Sequence, residues 1–368
     1  MRVAFYAPLK PPDHGVPSGD RRMAQLFLAA LRRAGHEPVV AARLRSFEGR
    51  GDAERQSRLE TIGRKLASRY LRRCRAAPQS APELWFTYHI YHKAPDWLGP
   101  TVAAVLGIPY VVAEASFAPK QEKGRWAAGH RAAEQAIRQA AAVIGLNPAD
   151  RDGVLPLLRS PAQWVAMAPF LDARSLPVRT QSRMGPPRMI AVAMMRSGDK
   201  LASYRILGAA LARLCDLDWS LDVVGDGEAR SAVEAALAPL GERVRWWGAL
   251  DAAGVAEHLA ATDLCVWPAV NEAFGMALLE AQAAGLPVVA GATGGVGEIM
   301  TPGLTGLLVP PDDAAAFAAA VRELLTDRAR LDAFGAAARR RVLARHDLGA
   351  AARRLHEIFD GLRRRQAA

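Results

Sequence analysis

The chain reads as an α/β protein of two doubly wound domains, each a parallel sheet covered by helices on both faces. Three observations predict this. Its 368 residues suffice for two separate cores. Short apolar runs of strand length alternate with amphipathic helical stretches, as repeated strand–helix–strand units require. The alternation lapses once, over residues 170–187, in a Pro-, Ser- and Arg-containing stretch that reads as an interdomain connection. The expected division is a first domain over 1–175, a second over 188–346, and a last helix over 347–368.

The elements follow in order. Residues 3–8 are a first buried strand, followed by a loop rich in Gly and Pro. A helix then places Met23, Leu26, Phe27, Ala30 and Leu31 on one face and ends at Gly35, His36 and Glu37. Residues 38–42 give the next strand, closing a right-handed crossover. Residues 43–75 are crowded with arginine, and Leu59, Ile62, Leu66 and Tyr70 recur at steps of three and four, which predicts a helix with an apolar stripe beside a basic face. Residues 84–88, 108–113 and 142–146 are the remaining strands of the first domain. The second series has strands at 189–194, 220–224, 244–247, 264–267, 287–290 and 306–309, with helices between them. Within it, Phe274 and Gly275 precede a run of strong helix formers, so a helix starts near Gly275 and stops at Gly285, Leu286 and Pro287. An arginine-rich helix after Asp347 ends the chain.

Composition bounds the function. The chain is 51% hydrophobic with a mean hydropathy near zero, and no apolar run is long enough to cross a bilayer. The first residues meet Pro8, Lys10, Pro11 and Asp13 too soon for the apolar core of an export signal, so a cytoplasmic location is expected. Three widely spaced cysteines, Cys74, Cys215 and Cys265, fit neither a disulfide framework nor a zinc site. A net charge of +11 and a pI near 10.1 point to an acidic partner. The basic helix has two readings: peripheral docking on an anionic membrane surface, or an apolar stripe packed on its own domain with a solvated basic face. No nucleic-acid-binding motif accompanies the charge, and nucleic acid is not expected as a partner.

The chemistry concentrates around residue 275. Glu272 lies in the loop before the helix and Glu280 lies inside it, eight positions on. A helix N-terminus collects unpaired N–H groups and positive dipole, so this loop suits a phosphate, with a carboxylate on either side for sugar hydroxyls. That is the outline of a nucleotide-sugar pocket. Arg196 and Lys200 follow the first strand of the second domain, at the strand end where such sheets bind ligands, and supply positive charge for a diphosphate. Val224, Gly225, Asp226 and Gly227 close another strand with a tight turn; Trp246 and Trp247 share a strand, where adjacent tryptophans more often belong to the core. In the first domain, Gly15 and Gly19 flank the loop after the first strand, and His89 and His92 follow a later one. No G-x-G-x-x-G fingerprint stands at that loop, which argues against an oxidoreductase, and no His/Cys/Asp cluster has metal-ligand spacing.

Glu272, Phe274, Gly275, Glu280 and residues 285–289 together resemble the donor-site signature of the family-four retaining glycosyltransferases, which have the two-domain GT-B fold. The resemblance implies that Arg196 and Lys200 contact the donor diphosphate, that Glu272 touches the transferred sugar and Glu280 the ribose, and that the backbone of Phe274, Gly275, Met276 and Ala277 holds sugar and phosphate oxygens. It sets Gly225 beside the nucleotide, Trp247 near the base, the Gly15–Gly19 loop beside donor phosphate and acceptor, and the last helix back across the first domain. Three departures stand out. Leu201 follows Lys200 where the family has glycine, the usual adjacent glycine pair is missing at Gly15 and Gly19, and Glu114 or Ser116 stands where the family commonly has an active-site histidine, with His89 or His92 as the alternative. The implied activity is transfer of a hexose-type sugar from a nucleotide diphosphate sugar to a hydroxyl acceptor, with retention and without a metal or other cofactor. A lipid-linked acceptor in cell-envelope glycan or glycolipid assembly fits the basic segment. A nucleotide-sugar epimerase of the same architecture and an inactive nucleotide-binding relative are the alternatives.

Overall fold

The computed structural model describes residues 1–16, 18–179 and 185–367. It contains two compact units, Met1–Ala168 with Leu348–Ala368, and Pro169–Asp347. Part of the connection read over residues 170–187, and Pro17 in the loop between Gly15 and Gly19, lie outside the described residues.

The first unit runs β1 (Arg2–Tyr6), α1 (Gly19–Arg33), β2 (Glu37–Val40), α2 (Ala53–Ala76), β3 (Leu84–Ile90), α3 (Gly99–Leu106), β4 (Tyr110–Ala115), α4 (Ala127–Gln139), β5 (Ala142–Gly145), α5 (Arg151–Val154) and β6 (Trp164–Ala166). Its six strands are parallel, in the order β2-β1-β3-β4-β5-β6. β1 therefore has β2 on one side and β3 on the other, which makes the gap between the carboxyl ends of β1 and β3 the topological switch point. Ser18 caps α1 by accepting the Arg21 N–H at 3.2 Å, so Gly19 is the first helical residue rather than part of the loop. β6 has only three residues on the sheet edge, none of them buried, and such a strand leaves no apolar signal in the sequence.

The second unit runs β7 (Arg188–Val192), α6 (Asp199–Leu211), β8 (Ser220–Val224), α7 (Arg230–Leu237), β9 (Val244–Gly248), α8 (Ala252–Ala260), β10 (Leu264–Trp267), α9 (Met276–Ala283), β11 (Val288–Gly291), α10 (Val296–Ile299), β12 (Gly306–Val309), α11 (Ala314–Thr326) and α12 (Arg328–Arg341). The parallel order β12-β11-β10-β7-β8-β9 puts the switch point between β7 and β10. At the opposite, amino end of these two strands, buried Asp263 accepts from Arg179 Nη2 at 3.0 Å, Arg328 Nη2 at 2.9 Å and the Arg188 backbone at 2.8 Å. A buried carboxylate is tolerable only with such a complement of donors, and here it fixes the two strands that flank the switch point.

The last helix, α13 (Leu348–Ala367), returns the chain to the first unit and packs along α1. Phe359 is fully buried against Phe86 of β3, with ring centroids 6.1 Å apart, and against His36 at 5.0 Å.

The basic helix bears out part of the expected stripe and corrects the rest: Leu66 and Tyr70 are half-buried against the core, with the Tyr70 ring 5.4 Å from Trp85, whereas Ile62 points outward. The inward face of α2 carries Gln56, Gly63, Ala67, Leu71 and Cys74, while Ile62 is 45% exposed. Gly63 sits so tightly on Trp97 that a Cβ would overlap the Trp97 side chain. The closest approach is thus made by Gly63, with no side chain, which a search for large apolar residues passes over. Arg55, Arg58, Lys65, Arg69, Arg72 and Arg73 are left exposed.

Candidate functional site

In the second unit, α6 begins where β7 has ended and the segment 268–275 leaves β10, so both arrive at the switch point. Three contacts join them. Lys200 Nζ pairs with Glu272 Oε2, Asn271 Nδ2 donates to Asp199 at 2.9 Å, and the Val270 N–H donates to Ser203 Oγ at 3.0 Å. Trp267 donates from Nε1 to the same Glu272 oxygen at 3.4 Å, and its ring lies 5.5 Å from Lys200 Nζ. The Lys200 and Glu272 side chains are 26% and 18% exposed, so the pair is half-sheltered from solvent and each charge is neutralised by the other.

α9 starts as the sequence implies. Gly275 is its N-cap with φ +72°, a left-handed conformation that a side chain strains, and Gly285 at φ +86° follows its end. Both Leu278 and Leu279 donate to the Gly275 carbonyl, at 2.8 and 3.1 Å. The N–H groups of Phe274, Gly275, Met276 and Ala277 have no acceptor among the described residues. Four consecutive free amides at a helix start form an anion-binding cradle. Glu280 lies one turn further along α9, half-buried and engaged in an interaction of its own. Arg196 is exposed on the segment entering α6, four residues before Lys200, and its guanidinium has no acceptor among the described residues.

Two glycine turns hold this arrangement. A Cβ on Gly225, whose φ is +141°, would overlap the Ala193 carbonyl oxygen, so the 224–227 turn packs directly on the backbone leading to Arg196. Met195 donates to the Asp226 carbonyl at 2.9 Å across the same contact. On the other side, a Cβ on Gly294 or Gly295 would overlap the Glu272 or Ala273 carbonyl, and Thr293 donates its hydroxyl to the Ala269 carbonyl. Residues 293–295 were not singled out in the sequence, although a Thr-Gly-Gly after a buried strand is the available signal.

Trp246 and Trp247 part company. Trp247 is 43% exposed, with its ring 4.3 Å from His258 of α8 at 67°, so the core reading fails for it. β9 is an edge strand with alternating exposure, and Trp247 falls on an outward position.

The first unit has a counterpart. His89 near the end of β3 contacts Asp20 in the first turn of α1, Nδ1 to Oδ1 at 2.9 Å, across the β1/β3 switch point. Pairing of Tyr88 with Ala113 and Ile90 with Ala115 sets His89 beside Glu114. Both adopt φ near +60°, a strained conformation for non-glycine residues and one that clusters at functional sites. Glu114 accepts the Leu146 N–H at 2.9 Å, and burial pushes its pKa up against the opposing pull of His89. Asp150 is also raised by burial, offset by the Ser116 hydroxyl and by His89. His92 is not part of this cluster: its ring meets Tyr91 and Trp126 at 5.2 and 5.6 Å, and it does not join His89 at the strand ends as expected. A Cβ on Gly15 or Gly19 would meet nothing within 4 Å, so the side-chain space at both is open. Among the described residues, no group of three or more His, Cys, Asp or Glu is placed to hold a metal.

Residues 186–327 match the family model described as glycosyl transferases group 1. The matched span lies within the second unit and covers less than half of the chain. A D-inositol 3-phosphate glycosyltransferase from Thermobispora bispora is 38% identical over 138 residues, 37% of this chain and 32% of that protein. A glycogen synthase from Mycobacterium tuberculosis is 28% identical over 267 residues, 69% of this chain and 64% of that protein. The chain thus spans about a third to two thirds of the length of these curated relatives. Among solved structures, HepE from Anabaena in complex with UDP aligns with a TM-score of 0.73 at 18% identity, covering 98% of this chain and 100% of that one. The fold is that of the GT-B glycosyltransferases, two six-stranded parallel sheets with helices on both faces. The matched span carries Arg196, Lys200, Glu272, Glu280 and the free amides.

Proposed function

We propose that the protein is a retaining glycosyltransferase that moves a hexose-type sugar from a nucleoside diphosphate sugar to a hydroxyl acceptor. One observation carries the reading: four free amides at the α9 start share the β7/β10 switch point with the Lys200–Glu272 pair, and Arg196 precedes it. The amides and the two cations suit a diphosphate, whose charge grows as the glycosidic bond breaks. Glu272, pinned by Lys200 and Trp267, can accept from sugar hydroxyls without moving, and Glu280 can accept from both ribose hydroxyls. Once formed, the diphosphate can take the acceptor proton on the same face, so no protein nucleophile and no metal is required in this scheme. Trp247 offers an exposed ring for the base.

Relatives whose names are those of inositol phosphate and phosphatidylinositol mannoside glycosyltransferases support an anionic, polyol-containing acceptor. The exposed arginines of α2 support an acceptor presented at the inner face of a membrane, to which the protein docks peripherally. No helix among the described residues is long and apolar enough to span one.

The experiment is incubation of purified protein with a panel of nucleoside diphosphate sugars, with and without anionic lipid vesicles. Release of nucleoside diphosphate dependent on an acceptor supports transfer, and an α-linked product from an α-linked donor supports retention. An isomerised donor with no release would make it an epimerase instead. Protein that ignores anionic vesicles at low salt would remove the membrane from the proposal.

A further inference from the structure

The proposed reading uses the second unit for the donor and leaves the first unit's polar cluster without a defined role. That cluster is unusual in its balance of charge. His89 is the basic group at its centre, with Asp20 from α1, Glu114 from β4 and Asp150 from the turn after β5 around it. Lys10 from the β1–α1 loop acts on Asp20, and the Tyr88 and Tyr91 rings lie 5.8 and 5.5 Å from the imidazole. The Asp20 contact takes Nδ1, and Nε2 has no partner among the described residues, in a side chain that is 27% exposed.

We propose that Asp20 is a positioning residue that holds His89 as a charged hydrogen-bond donor, so that its Nε2–H engages an oxygen of the acceptor rather than removing a proton. The inference rests on the glycosyl-transfer reading and gives the first unit a part in it. Geometry argues for a donor. An imidazole that gives Nδ1–H to a carboxylate has its Nε2 as a lone pair only when neutral, and three carboxylates about one ring favour the second proton. The direction of the titration agrees. Burial works against the charged ring, but the Asp20 hydrogen bond and the charges of Asp20, Glu114 and Asp150 outweigh it and raise the His89 pKa above its usual value. Burial likewise opposes the Asp20 charge, and the His89 contact outweighs it, leaving Asp20 lowered. The left-handed backbone at both His89 and Glu114 is strain placed where the two side chains adjoin. A group with these properties stabilises negative charge on an acceptor oxygen and does not remove its proton.

The two roles have opposite pH signatures. A charged donor is active below its pKa and loses activity as pH rises through it, whereas a base gains activity over the same range. The test is the pH dependence of kcat/KM for the full chain, the D20N variant and H89Q, together with direct NMR titration of the His89 ring. Wild type should show an alkaline limb at the His89 pKa measured by NMR. In D20N that limb and the ring titration should move together to lower pH, at a cost of about tenfold in kcat/KM per pKa unit at pH above both values. H89Q keeps a neutral donor and should retain partial activity with no limb. A rate that rises with pH through the ring titration, or a D20N ring that titrates as in wild type, would overturn the proposal. The NMR titration needs no turnover, so a failure of glycosyl transfer itself would show as absent activity with the Asp20-dependent titration intact.

Discussion

The two units solve one placement problem with opposite charges. In each, the first helix after the first strand of the sheet brings a charged side chain to the switch point, and the neighbouring strand across it brings the partner. The first unit uses Asp20 on α1 and His89 on β3; the second uses Lys200 on α6 and Glu272 after β10. The topology explains why both pairs sit at strand carboxyl ends. What differs is the surroundings. Around Lys200 and Glu272 the backbone presents free amides and another cation, which suits an anion. Around His89 there are carboxylates, which push the pKa of a single ring up. On the proposed reading, the second site binds negative charge and the first directs one hydrogen bond.

The largest expected effect comes from breaking the second pair. Lys200→Ala removes a cation from the diphosphate position and leaves Glu272 half-sheltered and unpaired, so turnover should fall on the order of 100- to 1000-fold. Steady-state kinetics would check this, and a fall of less than tenfold would mean that Lys200 does not serve the reaction.

Backbone fit should distinguish the units next. Gly225→Ala forces a Cβ onto the Ala193 carbonyl at a left-handed residue and should destabilise the fold by about 3 kcal/mol, whereas Gly15→Ala meets open space and should stay within about 0.5 kcal/mol of wild type. Chemical denaturation of both variants measures the contrast. Equal losses would show that the first-unit loop is as tightly packed as the second-unit turn.

Acid stability sharpens the comparison from another side, because each unit buries one imidazole whose pKa is depressed to about 4. In the first unit burial depresses His36, helped by the N-terminal amine and His356; in the second burial depresses His346, against a hydrogen bond to the Pro169 carbonyl. Both folded pKa values lie below the unfolded value, so each contribution is fully present above about pH 6.5 and is lost as pH falls toward 4. By pH 5 each should have cost about 2 kcal/mol. Urea melts at pH 7 and pH 5, on wild type and on His36→Phe and His346→Phe, would assign the loss; unchanged stability at pH 5 would mean that water reaches the rings.

The units also differed in how much the sequence revealed. All six strands of the second unit were legible, as was the loop and helix start at Gly275, because Glu272, Phe274, Gly275 and Glu280 fall within one local stretch with its own helix start and stop signals. In the first unit β6 was missed, since a three-residue edge strand has too few buried positions to set a pattern. Asp20 was missed because its partner is 69 residues away and nothing local marks it. The α2 stripe was read in part, since Leu66 and Tyr70 pack on the core but Ile62 does not, and the close approach at Gly63 was missed because a glycine that permits it has no hydrophobicity to count. Contacts made by absence of a side chain, as at Gly63, Gly294 and Gly295, are where sequence reading was weakest.

The central claim is that a diphosphate docks on the free amides before α9 with Arg196 and Lys200 as counter-charges. Isothermal titration of nucleoside diphosphates against wild type and Arg196→Ala tests it most directly. The account predicts that one nucleoside diphosphate binds and that removing the guanidinium weakens it by about tenfold or more, the usual worth of a charge-assisted hydrogen bond. Equal affinity in the two proteins, or no nucleoside diphosphate binding at all, would contradict it.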